Sequence, residues 1–244
     1  MCLISLISKE LMTDFVVITN RRSGSTALMN LIQSHPEVFA QHETMGGAKR
    51  QGHGYAFVKS ELDRFYDITA FKNREVTKAS GWKVLYEQMY EPIAQYIREK
   101  PLKIVQLIRN DLLETALWVR GITEYDARHR NILEQYGKVE VNIENCIFYI
   151  EQLRKNIDFW HKKADFTLFY EGDITEHGES VSEFFNKQKR AEFLKFLGVS
   201  DFDLTNIRPK KSKLVHESHD VVSNYEELLK EMESRGVKRY YIIR

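Results

Sequence analysis

One short run, Phe15-Val-Val-Ile-Thr-Asn-Arg-Arg-Ser-Gly-Ser-Thr-Ala-Leu, constrains the fold of this chain more than any other. Phe15 to Thr19 are β-branched or aromatic and bounded by a polar turn, so they read as a buried strand. Asn20 to Gly24 form the turn, and Ser25 to Gln33 set Ala27, Leu28, Leu31 and Ile32 on one face of a helix. At such a helix start the backbone N–H groups point outward without partners and carry partial positive charge, which suits an anion. Gly24 admits a ligand close to the backbone, and Ser23, Ser25 and Thr26 add hydroxyl donors. Arg22 adds a permanent charge with a planar donor fork. A plain capped helix would explain the hydroxyls, but not Arg21 and Arg22 beside them. Arg21 either assists or faces solvent.

The same alternation continues along the chain. Residues 37 to 43 suit a second short strand, followed from Thr44 to Ser80 by poor periodicity and clustered Gly46, Gly47, Gly52 and Gly54, the mark of a long loop. Gly81-Trp-Lys-Val-Leu restores order, with a helix expected near Glu87 to Lys100. Lys103 to Ile108 is a clear strand, followed by Arg109-Asn-Asp and a helix from about Leu112 to Arg120. Ile143, Ile147, Ile150, Leu153, Ile157 and Trp160 recur at helical spacing, which predicts a long amphipathic helix over 141 to 163. Phe166 to Tyr170 suits a further strand, with helices near 181 to 197 and 221 to 234. Strands alternating with helices predict an α/β fold, a central parallel sheet flanked by helices with ligands at the strands' carboxyl ends.

Four prolines, twelve glycines and no repeat or low-complexity linker favour a single domain over residues 12–244. Residues 1–11 read as an N-terminal extension, with Met12 as an alternative start. They lack the basic flank and small-residue cleavage site of a secretory signal. The apolar runs are too short to cross a bilayer, so no integral membrane segment is expected. Two cysteines, Cys2 and Cys146, make neither a disulfide framework nor a metal knuckle, so a reducing, cytoplasmic setting is the default. Lysine and arginine number 36 against 35 acidic residues, a net charge of +1, which argues against a nucleic-acid coat. An anion must therefore be met by a local cluster.

The identity of that anion follows from what the turn lacks. A phosphate loop with magnesium would read Gly-x-x-x-x-Gly-Lys-Ser/Thr. Here Thr19 stands at the first glycine and Ser25 at the lysine, and the later strand ends in Arg109 where an acidic residue would help to hold magnesium. A phosphate-like group bound by arginine without metal fits better. No His/Cys spacing resembles a zinc site, so no metal is expected.

Arg22-Ser-Gly-Ser-Thr after a strand resembles the 5′-phosphosulfate loop of sulfotransferases that use 3′-phosphoadenosine 5′-phosphosulfate (PAPS). Lys103-Ile-Val-Gln-Leu-Ile-Arg-Asn-Asp-Leu-Leu-Glu-Thr-Ala resembles the segment whose arginine binds the 3′-phosphate. Gly81-Trp-Lys-Val-Leu, Leu168-Phe-Tyr-Glu-Gly-Asp-Ile and Ser223-Asn-Tyr-Glu-Glu-Leu resemble weaker blocks of the carbohydrate-type branch, in family order. The resemblance implies the P-loop-containing, nucleotide-hydrolase-like sulfotransferase fold, PAPS as sulfuryl donor and no metal. It also implies in-line transfer to an acceptor hydroxyl or amine on a carbohydrate or glycolipid.

Under that resemblance Arg22 matches the basic residue at the bridging oxygen, where many members have lysine, and Ser23 to Thr26 bind the 5′-phosphate. Arg109 matches the 3′-phosphate arginine; its structural alternative is a salt bridge with Asp111 or Glu114. The family's second 3′-phosphate ligand, a serine, is replaced by Leu117 or Trp118, leaving Thr115 as a substitute or the phosphate to arginine and lysine alone. Lys210, Lys211 and Lys213 form the nearest basic cluster, with Lys211 the candidate ligand. Glu43 stands where the branch places its base, and His42 and His53 are the alternatives. Lys83 either points into the site or lies along the surface. The loop from Thr44 to Gly54, with Lys49, Arg50, His53 and Tyr55, suits an acceptor-facing lid for a small-molecule or glycan acceptor. The competing functions are a nucleotide or small-molecule kinase reading the same turn, and a nucleotide-binding module without catalysis. Oligomeric state is not encoded in any heptad seam or separate apolar stripe.

Overall fold

The computed structural model describes residues 12–46, 51–72, 76–121, 137–173, 185–202 and 218–242. Its strands in chain order are β1 (Thr13–Thr19), β2 (Val38–Gln41), β3 (Ala79–Leu85), β4 (Lys103–Ile108) and β5 (Phe166–Phe169). Among the described residues they form one five-stranded sheet ordered β2-β3-β1-β4-β5, with every pair parallel. β1 lies in the middle, in register with β3 (Phe15 beside Gly81, Thr19 beside Leu85) and with β4 (Phe15 beside Lys103, Thr19 beside Leu107). Residues Phe15 to Thr19 are buried, as expected of a strand covered on both faces. The α/β architecture expected from the alternation is the one observed.

Among the described residues the α-helices of five residues or more are α1 (Ser25–Gln33), α2 (Tyr55–Lys72), α3 (Glu91–Glu99), α4 (Leu112–Ala116), α5 (Ile143–His161), α6 (Lys187–Leu197) and α7 (Tyr225–Ser234). Alternation along the strands divides the core into two layers. Val16, Ile18, Trp82 and Val84 pack with Leu62 of α2, Ile93 of α3, Ile150 of α5 and Leu228 of α7. Phe15 and Val17 face the other way, onto Leu28 and Ile32 of α1 and Phe193 and Leu197 of α6. Polar groups inside the first layer are satisfied in series: the Trp82 indole donates to the Tyr66 hydroxyl at 3.0 Å, and that hydroxyl donates to the Phe15 carbonyl at 3.3 Å.

The loop expected from Thr44 to Ser80 is a correction. An 18-residue helix, α2, occupies much of it. Val58, Leu62, Phe65 and Tyr66 supply its buried face, but exposed Phe57 and the preceding glycines blur the period. Two other helices are segmented. The expected helix near 87 to 100 is a 3₁₀ turn (Tyr86–Gln88) followed by α3, which begins with Pro in its first turn. The helix expected from Leu112 closes after Ala116 into a π turn, Leu117–Gly121. The extension 1–11 lies outside the described residues.

The β1–β3 register leaves no room at Gly81. A Cβ there would sit 2.5 Å from the Phe15 ring carbons Cδ2 and Cε2. Gly81→Ala should therefore force Phe15 from its position and destabilise the fold by roughly 1–3 kcal/mol, read as a lower urea midpoint with an unchanged slope.

Candidate functional site

The β1–α1 turn is knotted from within. The buried Thr19 hydroxyl donates to the Leu107 carbonyl of β4 at 2.9 Å and pairs with the Ser23 hydroxyl at 2.6 Å. The Ser23 proton is shared between that contact and the Asn20 carbonyl at 2.8 Å, and the Asn20 amide donates to the Arg21 carbonyl at 2.8 Å. The Ser23 hydroxyl thus shapes the turn. Ser25 is buried and Thr26 exposed. Arg22 has φ 61° and Gly24 φ 78°, both in the left-handed region. Only glycine adopts that conformation cheaply, so Arg22 holds backbone strain of about 1–3 kcal/mol. Gly24 is the N-cap of α1; no side chain caps the helix and its first turn has no acidic residue. An α1 N-terminus left in this state fits a bound anion.

Arg109 follows β4 and reaches across to this turn: its Nη1 donates to the Arg22 carbonyl at 2.9 Å. Its Nε is buried without a hydrogen bond, with Glu171 Oε1 at 3.7 Å. Burial first, then the positive charges of Arg21 and Arg109, lower the Arg22 pKa from the ordinary arginine value. Arg22 thus stands in the field of two like charges, which an entering anion would relieve. The alternative partners expected for Arg109 are engaged otherwise. Asp111 caps α4 at the Glu114 N–H (3.0 Å) and takes a two-pronged contact from Arg239, and the Glu114 carboxylate accepts from the Trp118 indole at 2.7 Å.

The turn after β5 closes the third side. Glu171 accepts from the N–H groups of Asn110 (2.6 Å) and Asp111 (3.2 Å), so one carboxylate holds the whole Arg109 turn. Tyr170 lies under Arg109, whose guanidinium carbon is 5.2 Å from the ring centroid. The same ring fills the space beside Gly24 that the sequence leaves for a ligand: a Cβ there would meet it at 2.3 Å, so what the glycine admits on that side is Tyr170. The C-terminal segment ties in too: Leu112 N–H donates to the Arg239 carbonyl (3.0 Å) and Tyr241 N–H to the Asn110 carbonyl (2.9 Å). Arg154 of α5 donates to the Tyr240 carbonyl at 2.9 Å.

Glu43 lies beyond β2 on the same carboxyl edge. Its Oε1 is 3.1 Å from Nζ of Lys83, which is only 3% exposed, and its Oε2 accepts from Gln88 at 2.5 Å. Partial burial pushes the Glu43 carboxyl up, but the Gln88 hydrogen bond, the Lys83 charge and the more distant Arg21 outweigh it and hold the group below the ordinary glutamate value. Glu43 is therefore an ionised, hydrogen-bonded carboxylate. His42 points to Asn30 Oδ1 of α1 at 3.1 Å. His53 bonds Gln51 at 2.6 Å and stacks on Phe57 with centroids 3.8 Å apart. Arg21 is exposed and acts through space on Glu43.

Thr115 is buried, and its hydroxyl donates to the Asp111 carbonyl at 3.1 Å within the helix. Lys210, Lys211 and Lys213 lie outside the described residues, as do Gly47, Lys49 and Arg50 of the expected lid. Glu171, Gln88 and Trp118 join the site beyond the residues expected from the sequence. The Tyr-Glu-Gly run after a strand is the sequence signal for Glu171, whereas Gln88 and Trp118 reach the site only through tertiary packing. Among the described residues no group of three or more His, Cys, Asp or Glu side chains is arranged to hold a metal, and no helix is long and apolar enough to cross a membrane.

No family model and no curated protein matches the chain. Among solved structures it is similar to the sulfotransferase domain of the Synechococcus PCC 7002 olefin synthase, at 13% identity and a TM-score of 0.44, over 96% of this chain and 91% of that one.

Glu171→Gln keeps the shape of the side chain but removes the charge that two backbone N–H groups share. With charge-assisted hydrogen bonds contributing about 1.5–3 kcal/mol, the Asn110 and Asp111 amides should exchange with solvent at least ~10-fold faster in the variant. Amides of the central strand should keep their protection.

Proposed function

We propose that the chain is a sulfotransferase that moves a sulfuryl group from PAPS to an acceptor hydroxyl or amine, on a carbohydrate or glycolipid. The observation that carries this reading is the contact between Arg109 Nη1 and the Arg22 carbonyl. It joins an uncapped, cationic helix start to an arginine at the neighbouring strand end, which suits a nucleotide with anionic groups at two positions. The 5′-phosphosulfate would lie against Arg22 to Thr26 and the 3′-phosphate against Arg109. Arginine supplies the cationic charge, and the reading assigns no role to a metal. With two cysteines in the chain, we place the protein in the cytoplasm.

The donor, when bound, supplies an activated sulfuryl group. The acceptor oxygen or nitrogen bonds to sulfur, the bond from sulfur to the bridging oxygen breaks, and adenosine 3′,5′-bisphosphate leaves. Glu43 takes the acceptor proton, and Arg22 meets the charge developing on the leaving oxygen. Lys83 and Gln88 hold Glu43 ionised and fix its orientation, at the expense of its basicity.

Calorimetry with adenosine 3′,5′-bisphosphate against ADP with magnesium tests the reading directly. Tight binding of ADP–magnesium with none of the bisphosphate would move the assignment to a kinase; bisphosphate binding without transfer to any glycan, phenol or lipid acceptor would leave a binding module. Arg109→Ala should weaken the bisphosphate by about 10-fold or more, the loss of a charge-assisted contact, and barely affect the 3′-dephospho analogue.

Glu43→Gln should keep nucleotide affinity and lower turnover by about 10²-fold or more. Because Glu43 is held below the ordinary glutamate value, turnover should rise with pH through an acid limb lying below that value. Lys83→Met removes one of the influences holding the carboxyl down, so the limb should move to higher pH. A limb that stays in place assigns it to another group.

A further inference from the structure

Arg22 is pinned at both ends. Its strained backbone is held by Arg109, and its guanidinium carbon lies 5.7 Å from the Trp118 ring centroid. Trp118 sits on the π turn after α4, is 7% exposed, and donates its indole N–H to Glu114 Oε1 at 2.7 Å, one helical turn back. Among the described residues no carboxylate pairs with Arg22. A carboxylate would cancel the charge and compete with an incoming anion. An aromatic face attracts the cation through its quadrupole and adds no opposing charge. The Glu114 carboxylate, bonded to the indole N–H, pushes electron density into the ring and strengthens that attraction without touching Arg22.

We propose that Trp118, oriented by Glu114, is a positioning residue that holds the Arg22 guanidinium over the α1 N-terminus while leaving its charge uncompensated for an anionic ligand. The pairing stands on the geometry; its effect on sulfuryl transfer rests on the function proposed above. π turns are frequent at functional sites, and Trp118 lies in the π turn that faces the β1–α1 turn through Arg22.

Two measurements decide this. In urea unfolding of the full chain, Arg22→Gln and Trp118→Leu should together lower the midpoint by less than the sum of the single shifts, since either one alone already breaks the pair; additive shifts would overturn the pairing. In sulfuryl-transfer kinetics, Trp118→Leu should lower kcat by about 10-fold with bisphosphate affinity changed less than about 3-fold. Trp118→Phe, which keeps a ring face but loses the bond to Glu114, should recover part of the rate, and Trp118→Leu should have no further effect in an Arg22→Gln background. Equal losses in both backgrounds, or a phenylalanine variant as slow as the leucine one, would show that Trp118 does not act through Arg22. If the unsubstituted protein neither binds the bisphosphate nor transfers a sulfuryl group, the proposed function falls, while the unfolding cycle still decides the pairing.

Discussion

The burial of β1 on both faces is the constraint on which the rest depends. A central strand hydrogen-bonded to β3 on one side and β4 on the other cannot shift register without unpairing both. Its carboxyl end is therefore a fixed point, and the Thr19 hydroxyl locks that point to Leu107 of the neighbouring strand. The β1–α1 turn can then carry a left-handed arginine and a helix start without a cap, because the strand beneath does not yield. Strain and unmet donors at the mouth are tolerated where the base is over-determined.

Electrostatics at the mouth follow a division of labour. The carboxylates of Glu171 and Asp111 are spent on backbone N–H groups and Arg239. They shape the Arg109 turn, and Glu171 also forms an ion pair with the Arg109 guanidinium, with Oε1 3.7 Å from Nε. Across the sheet edge, Glu43 is held ionised by a buried lysine and an amide. Among the described residues the Arg22 and Arg109 side chains gather at the ends of β1 and β4 while Glu43 stands beyond β2, so a nearly neutral chain still concentrates charge locally.

Much of this was legible in the residues. β1, α1 and β4 are read from β-branched runs and a punctuating turn, signals that are local and need no tertiary context. α2 was not legible, because exposed Phe57 and the preceding glycines disturb its period; its buried face makes sense only against the sheet. The site divides in the same way. Arg22 and Arg109 are visible as arginines at strand ends, but the use of Ser23 and Thr115 inside the scaffold depends on which acceptor lies nearest in the fold. Arg22 and Trp118 meet in space, which spacing along the chain could not reveal.

The C-terminal segment has a consequence for how the molecule is handled. Arg239 and Tyr241 supply a guanidinium, a carbonyl and an N–H to the Asn110–Leu112 stretch, and Arg154 clasps the same segment from α5. A nick or a fusion placed there acts on the arginine turn directly, although it is remote in sequence. Limited proteolysis of this segment would therefore loosen the Asn110–Leu112 turn while leaving the central strands paired.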